Sequence, residues 1–351
     1  MRRWFSLALA AALLMGFSAP ARAADAENDG TAETKINVAG QYEPGANGAQ
    51  ISVNITWEPM EFTYLDGDPI WDAEKHEYIG SAKPGWTDET KNITVTSHSN
   101  TAITASFRFD GSEGIVGSFD KSALNLETAE GTKVSEAPKG TAAFGISGAK
   151  IGETGTIGTI TVNIVRLTDV STADELAAAA AQGGAIRLTA DITTGQDLAL
   201  QGSTVVDLNG KTLTTGGHSI RLYDKVIIRN GSTYVADLND NLLVDTGANA
   251  LFENCAMSSC VSSCSVFLNG TATLKDCTLS SDVSGEANIM GNRGFKLNLL
   301  GAIRMNGEIQ LKDNCVVSAL SGTYNFDPTS YVDTNTYAVS ESGGIWTVSV
   351  K

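Results

Sequence analysis

Cysteine is missing from the first 254 residues of this 351-residue chain, and the five that follow, Cys255, Cys260, Cys264, Cys277 and Cys315, are odd in number. The absence rules out a disulfide in anything folded from the N-terminal half, and it leaves a lipid anchor no attachment residue near the N-terminus. Histidine is nearly absent too, with three in all. Cys260-Val-Ser-Ser-Cys264 therefore has neither a matched second pair nor a neighbouring His with which to build a zinc site. Basic residues number 24 against 40 acidic ones. A surface of that sign repels nucleic acid and anionic lipid and disfavours a polyanionic substrate unless Ca2+ or a local basic patch intervenes. No segment before residue 170 has the length and period of a long helix. The C-terminus carries neither an LPxTG motif nor a hydrophobic tail, so covalent wall attachment has no support. No Ser-His-Asp arrangement, phosphate-cradling glycine loop or nucleotide signature is present.

What is present begins with MRRWFSLALAAALLMGFSAPARA, in which two arginines precede a short apolar run and Ala21-Arg22-Ala23 offers small residues at a cleavage point. This pattern predicts a secretory signal peptide over residues 1–23, and the run is shorter than a membrane span requires. Cleavage would remove three basic and no acidic residues, taking the formal charge from −16 to about −19. The expected compartment is extracellular or cell-surface, with no membrane insertion after cleavage.

Three stretches repeat one pattern: VIIRNGSTY from Val226, ALFENCAMS from Ala250 and ATLKDCTLS from Ala272. Equivalent apolar positions fall at Ile228, Phe252 and Leu274, and small residues follow at Gly231, Cys255 and Cys277, giving repeats of 24 and 22 residues. Short strands at that period with Asn or Asp at the corners predict the stacked coils of a parallel β-helix, because one coil alone leaves its inward side chains wet. VVDLNGKTL from Val205 carries the same corner, with Leu208 one place out of register, and reads as a full coil with a shorter turn. IQLKDNCVV from Ile309 reads as a later row with one extra residue, and FKLNLLGAI from Phe295 as another strand. Cys255 and Cys277, on adjacent coils, suit a bridge, a reduced stack or simply a column of small inward residues.

Upstream, AQISVNITW, KNITVTS, AITASFRF and TITVNIVR alternate apolar and polar residues, with Gly, Pro, Asn and Asp between them. These predict a β-sandwich of immunoglobulin type over residues 24–167, held by Trp57, Phe62, Tyr64, Phe107 and Phe109. A capping box at Thr172 and Glu175, an alanine run and Gly183-Gly184 predict a short helix that opens the second domain, residues 168–351. Leu176 and its neighbours are positioned to cover the open end of the first coil. TYAVSESGGIWTVSVK predicts a closing hairpin with Tyr337, Val339, Trp346 and Val348 turned inward.

ISVNITWEPMEFTY, WDAEKHEY, ITVTSHSNTAITASFRF, GSFDKSAL and GTIGTITVNI in the first half, with STADELAAAAAQGGAIRLTADIT, DLNGKTLT and SGTYNFDPTSYVDTNTYAVSESGGIWTV in the second, resemble a recurrent kind of secreted protein from gut bacteria. The resemblance covers most of the chain beyond residue 23. It implies an immunoglobulin-like module followed by a pectin-lyase-like right-handed parallel β-helix, and it implies no established activity.

Enzymes on such a fold need paired carboxylates on one face, or Ca2+ beside a basic residue. Glu253, Lys275 and Asp276, with Arg229 one coil away, are the candidates, and as corner residues they read as solvated charge without a catalytic role. The paired-Asp, Gly-His-Gly and Arg-Ile-Lys motifs of polygalacturonase-like hydrolases are missing, and His218 sits in a turn. Asp237-Leu-Asn239-Asp240-Asn241 and Asp66-Gly-Asp68 cluster oxygen ligands without completing a Ca2+ loop. No catalytic residue, metal site or cofactor is assigned. Trp71, Tyr78 and Trp86, in a stretch without clean strand alternation, are the candidate ligand-binding residues: projecting, they would stack on sugar rings, and folded down they would close the sandwich edge. The expectation is an acidic, secreted, all-β protein that acts as a non-catalytic structural or adhesive module on an extracellular glycan or a host or bacterial surface protein. A polysaccharide lyase or glycoside hydrolase on the solenoid, or a glycan-binding module, is the alternative.

Overall fold

The computed structural model describes residues 36–40 and 49–350, apart from 66, 68, 82–84, 88, 113, 149–151, 153, 238–240, 261–263, 283–286, 293, 311 and 313. The predicted signal peptide, Asp66, Asp68, Asn239, Asp240 and the residues between Cys260 and Cys264 lie outside the described residues. The chain divides into two compact units, one of residues 1–64 and 86–164, the other of 65–85 and 165–351. The chain passes between them three times, at 64/65, at 85/86 and, within the strand Gly158–Val170, at 164/165.

The first unit is all β. Val53–Trp57, Lys91–Ser97, Lys139–Gly148 and Ile115–Phe119 form a four-stranded antiparallel sheet. Ala123–Leu126 pairs antiparallel with Ile103–Gly111, and Ile36–Gly40 pairs parallel with Ile160–Ile164. Alternation works as expected: Val53, Ile55, Ile93, Val95, Ile103, Ala105, Phe107, Ile160, Val162 and Ile164 are buried in one cluster. Aromatic rings fill its centre, with Phe119 and Phe144 4.7 Å apart and Phe107 5.4 Å from Phe119. Of the rings expected to hold this core, Phe107 is buried, and Trp57, Phe62 and Phe109 pack against it half-buried. Tyr64 instead meets Trp86 edge to face at 5.4 Å.

The second unit is a parallel β-solenoid of about seven turns. One face stacks Leu167–Val170, Ala185–Leu188, Val205–Asp207, Lys225–Arg229, Asn249–Glu253, Thr271–Lys275 and Lys296–Leu300 in parallel register, and Val316–Ala319 continues it. A separate six-stranded sheet runs from Leu198–Leu200 to Glu308–Ile309. The predicted inward column is continuous: Ile186, Val206, Ile228, Phe252, Leu274, Leu299 and Ala319 are register partners from rung to rung. Each is at most 1 % exposed. Parallel stacking at about 4.8 Å per rung pairs each backbone with the next while it dries these side chains.

Two expected registers are corrected. In the coil from Val205 it is Val206, not Leu208, that pairs with Ile228. Its turn is longer than the next one, not shorter: residues 208–211 separate Asp207 from Thr212, whereas only Asn230 and Gly231 separate Arg229 from Ser232. Leu208 remains buried and fills the space over Gly231, where a Cβ would lie 2.5 Å from the Leu208 Cβ. The row from Ile309 is not equivalent to the repeats at Val226 and Ala250. Ile309 pairs with Ile289 in the six-stranded sheet, and the strand beside Lys296–Met305 is Val316–Tyr324.

The helix Ala173–Gln182 has the predicted capping box: the Glu175 N–H donates to the Thr172 hydroxyl at 3.2 Å, and the Thr172 N–H donates to the Glu175 carboxylate at 3.2 Å. Its buried residues Leu176, Ala179 and Ala180 belong to the same apolar cluster as the solenoid column. At the other end Tyr337–Ser342 and Ile345–Val350 form the expected hairpin, which adds antiparallel to Val316–Tyr324 through Gly322 and Val348. Tyr337 and Val348 are buried in that cluster, and Val339 and Trp346 pack against it.

Candidate functional site

Between its strands on one side of the solenoid, each coil turns through a residue in the left-handed region: Asn209 (φ 51°), Asn230 (59°), Asn254 (53°), Asp276 (54°), then Gly301 (71°). Asn and Asp tolerate this conformation better than other residues with a side chain, which explains their recurrence at the corner. Stacking then sets their side chains in a row. Asn230 donates its amide to both carboxylate oxygens of Asp207, at 3.4 and 3.3 Å, and Asn254 donates to the Asn230 carbonyl oxygen at 3.3 Å. Asp276 leans the other way and accepts the Ala302 N–H at 2.8 Å. Its carboxylate occupies the space that a Cβ on Gly301 would fill.

Beside this row the next outward positions are small. Ser232, Ala256 and Thr278 are register partners on successive rungs. Small side chains next to a wall of amides and carboxylates leave a solvent-open cleft of about 660 Å3, which spans four coils from Asp207 to Thr278.

On the preceding strand positions, charge alternates by coil. Asp207, Arg229, Glu253 and Lys275 are register partners in sequence. Arg229 donates to Asp207 at 2.9 Å and Lys275 to Glu253 at 2.7 Å. The expectation of solvated corner charges is corrected here, since Arg229 is 5 % and Glu253 7 % exposed. Opposite charges one rung apart lie side by side, so each covers its neighbour and supplies the partner that burial demands. Only Asp276 of the four candidates is exposed.

The predicted ligand-binding aromatics do not form one site. Trp71 and Tyr78 are cross-strand partners in a hairpin of Pro69–Asp72 and Glu77–Ser81. The stretch that shows no clean strand alternation thus forms strands all the same. Its strands are too short to show alternation, and His76, with φ 55°, turns the chain between them. Trp71 is 52 % exposed and stacks nearly parallel on the His76 ring, with centroids 6.3 Å apart and 7° between planes. Trp86 is half-buried against Tyr64 in the other unit, and its indole N–H meets no hydrogen-bond partner among the described residues.

None of the five cysteines is in a disulfide. Cys255 and Cys277 follow the corner on adjacent coils, and each donates to the carbonyl of the inward residue one rung back, Cys255 to Ile228 at 3.4 Å and Cys277 to Phe252 at 3.3 Å. Hydrogen bonding with Cys277, followed by burial, pushes the Cys255 thiol well above its usual range. Burial pushes Cys264 up to about 11.

The cleft itself was not foreseen from the sequence. Its signal is visible there: Asn209-Gly210, Asn230-Gly231, Asn254-Cys255 and Asp276-Cys277 repeat a polar residue followed by a small one once per coil. Compared with known proteins, the chain matches no family model, no curated protein and no solved structure.

Proposed function

We propose that this protein is a secreted, non-catalytic scaffold of structural or adhesive kind that presents a rigid solenoid surface to an extracellular glycan or a cell-surface protein. In this reading residues 1–23 are removed on export, the first unit is an immunoglobulin-like sandwich, and the solenoid is right-handed and pectin-lyase-like. The helix Ala173–Gln182 closes its N-terminal end, consistent with the burial of Leu176, Ala179 and Ala180 against the first coils.

The observation that carries the non-catalytic reading is the alternating charge row. A general acid or base must exchange a proton with substrate, and a nucleophilic carboxylate must reach it. Glu253 and Asp207 are instead buried and held by Lys275 and Arg229. The test is incubation of the purified protein with a panel of plant, host and bacterial glycans, with analysis for new reducing ends and unsaturated products. Binding without products is expected. Product release that survives repurification overturns the reading.

A second reading, a glycan-binding module on the hairpin, is favoured by one feature. Trp71 is exposed and already stacked on His76, the pose of a platform for a sugar ring. It predicts loss of glycan retention in Trp71→Ala with the fold intact.

A further inference from the structure

We infer that the six-stranded sheet of the solenoid carries a self-association surface, on which two copies of this chain meet face to face about a two-fold axis through Phe267. The inference goes beyond the scaffold reading and does not depend on what the scaffold binds.

Each strand of this sheet buries one face and turns the other to solvent. Leu242, Val244, Val266, Leu268 and Ile289 belong to the apolar cluster inside the solenoid and are at most 1 % exposed. The alternate positions point outward, and they hold Leu243, Phe267 and Met290. These three are register partners on successive rungs. An outward position on a solvated sheet is ordinarily polar, and one apolar residue there needs no explanation. Three large ones in line, each half-buried, make a stripe. Two places along the strands the residues are polar: Asn241, Asp245 and Asn269 are half-buried, and Asn292 donates to the Asn269 carbonyl oxygen at 2.7 Å. An apolar centre with a polar rim is the anatomy of a protein interface.

The ends of the stripe name the occupant. One rung before Leu243 the outward residue is Arg221. One rung after Met290 comes the end strand, in which Ile309 pairs with Ile289. Gln310 continues the line of Met290, and Glu308 stands beside it, within the reach of an arginine side chain; both are exposed. Neither Arg221 nor Glu308 joins an ion pair or a side-chain hydrogen bond among the described residues. Phe267 is therefore central, with an unpaired cation two rungs to one side and an unpaired anion two rungs to the other. A second copy turned half a revolution about Phe267 lays its Met290 on Leu243 and its Phe267 on Phe267, and brings its Glu308 to Arg221. Every such contact forms twice, because a two-fold interface is self-complementary. Five rungs at about 4.8 Å make a stripe about 20 Å long, so the contact belongs to the small, transient class and the dimer is weak.

The experiment is sedimentation equilibrium of the purified protein from about 5 to about 200 µM, a range suited to a weak dimer. A monomer–dimer equilibrium is expected. Phe267→Lys sets two ammonium groups against each other on the axis and should leave monomer alone, with the thermal midpoint held. Should that variant fail to fold, the end charges decide, since both lie at exposed positions. Arg221→Glu opposes acid to acid and Glu308→Arg base to base, so each should weaken the dimer about tenfold. Mixed in equal amounts, the two variants should pair with each other at the parental affinity, because both end contacts are then again between Arg and Glu. A monomer throughout the range, association unchanged in a folded Phe267→Lys, or a mixture that gains nothing overturns the inference. So does growth beyond two copies, or association lost only in Trp71→Ala.

Discussion

Removing the Glu253 carboxylate is expected to destabilise the solenoid. Glu253 lies between Arg229 and Lys275 in register, and its partner Lys275 sits 2.7 Å away with a side chain only 15 % exposed. Breaking a fully buried pair costs about 3–5 kcal/mol, because the remaining charge keeps its desolvation penalty without compensation. Partial exposure lets the Lys275 ammonium recover some hydration, so Glu253→Ala should cost about 2–3 kcal/mol. For a unit of this size that is a fall of about 4–12 °C in the thermal midpoint. Glu253→Gln, which keeps an acceptor, should cost less. Removing both charges in Glu253→Met/Lys275→Met should restore much of the loss, since an apolar pair leaves no orphaned ion. Urea unfolding of the four proteins at pH 7, with slopes compared to confirm a common transition, checks the series. The sign is decisive. Active-site carboxylates are commonly held at the expense of stability and their removal often stabilises. A Glu253→Gln protein as stable as the parent, or more so, would refute the structural role and with it the main support for a non-catalytic solenoid.

Three further outcomes follow from the geometry. Gly301→Ala should destabilise by about 2 kcal/mol in urea unfolding, because it places a Cβ on the Asp276 carboxylate at a φ of 71°; an unchanged midpoint would mean that Asp276 does not sit over that coil. Thiol titration at pH 8 should reach at most Cys260 and Cys315 in the folded protein and all five cysteines in denaturant, since Cys255, Cys264 and Cys277 are buried and Cys264 is pushed up to about 11; rapid native labelling at Cys264 would contradict this. The Ser171 N–H holds Glu175 below its ordinary 4.5, and the Thr329 hydroxyl holds Asp327 below its ordinary 3.8. Their contribution is therefore complete above those ordinary values and lost as pH falls through the lowered ones, so urea stability should decline below about pH 4 and decline less in Glu175→Gln; stability that rises on acidification would reverse the sign.

The inward column was legible because its signal is repeated. Ile228, Phe252 and Leu274 recur one coil apart, and a slip of one residue would turn each of them to solvent, so the pattern admits one register. The capping box was legible for a local reason, since Thr172 and Glu175 need only each other. What failed were places where the pattern has two physical solutions. Around Ile309 an alternating run fits either sheet of the solenoid, and nothing local says which face it joins. At Leu208 the apolar residue is inward but lies in the turn, so the sequence match counts it as part of the strand. Burial of Arg229 and Glu253 was missed because each charge alone argues for exposure. Only the register, which sets Asp207, Arg229, Glu253 and Lys275 side by side, turns four costly residues into two ion pairs. The hairpin of Trp71 and Tyr78 was hidden by the brevity of its strands.

The corner row joins the fold to the site. A coil that turns through the left-handed region selects Asn, Asp or Gly for backbone reasons alone, and stacking then converts that choice into a column of amides and carboxylates. Had every corner been Asn, the amides could all point one way and satisfy one another along the column. Among the corners Asp276 breaks that solution, and on an earlier coil Asn230 donates instead to Asp207, a strand residue two places before the corner Asn209. Asp207 is paired with Arg229 on the next coil, and its replacement by Asn would remove the carboxylate from beside a buried guanidinium. Asp276 has no such tie: it is exposed, one N–H from Ala302 meets it, and Asn would serve the turn equally well. A residue that the backbone does not require as a carboxylate, set on the wall of an open cleft, is the point at which folding alone stops explaining the sequence.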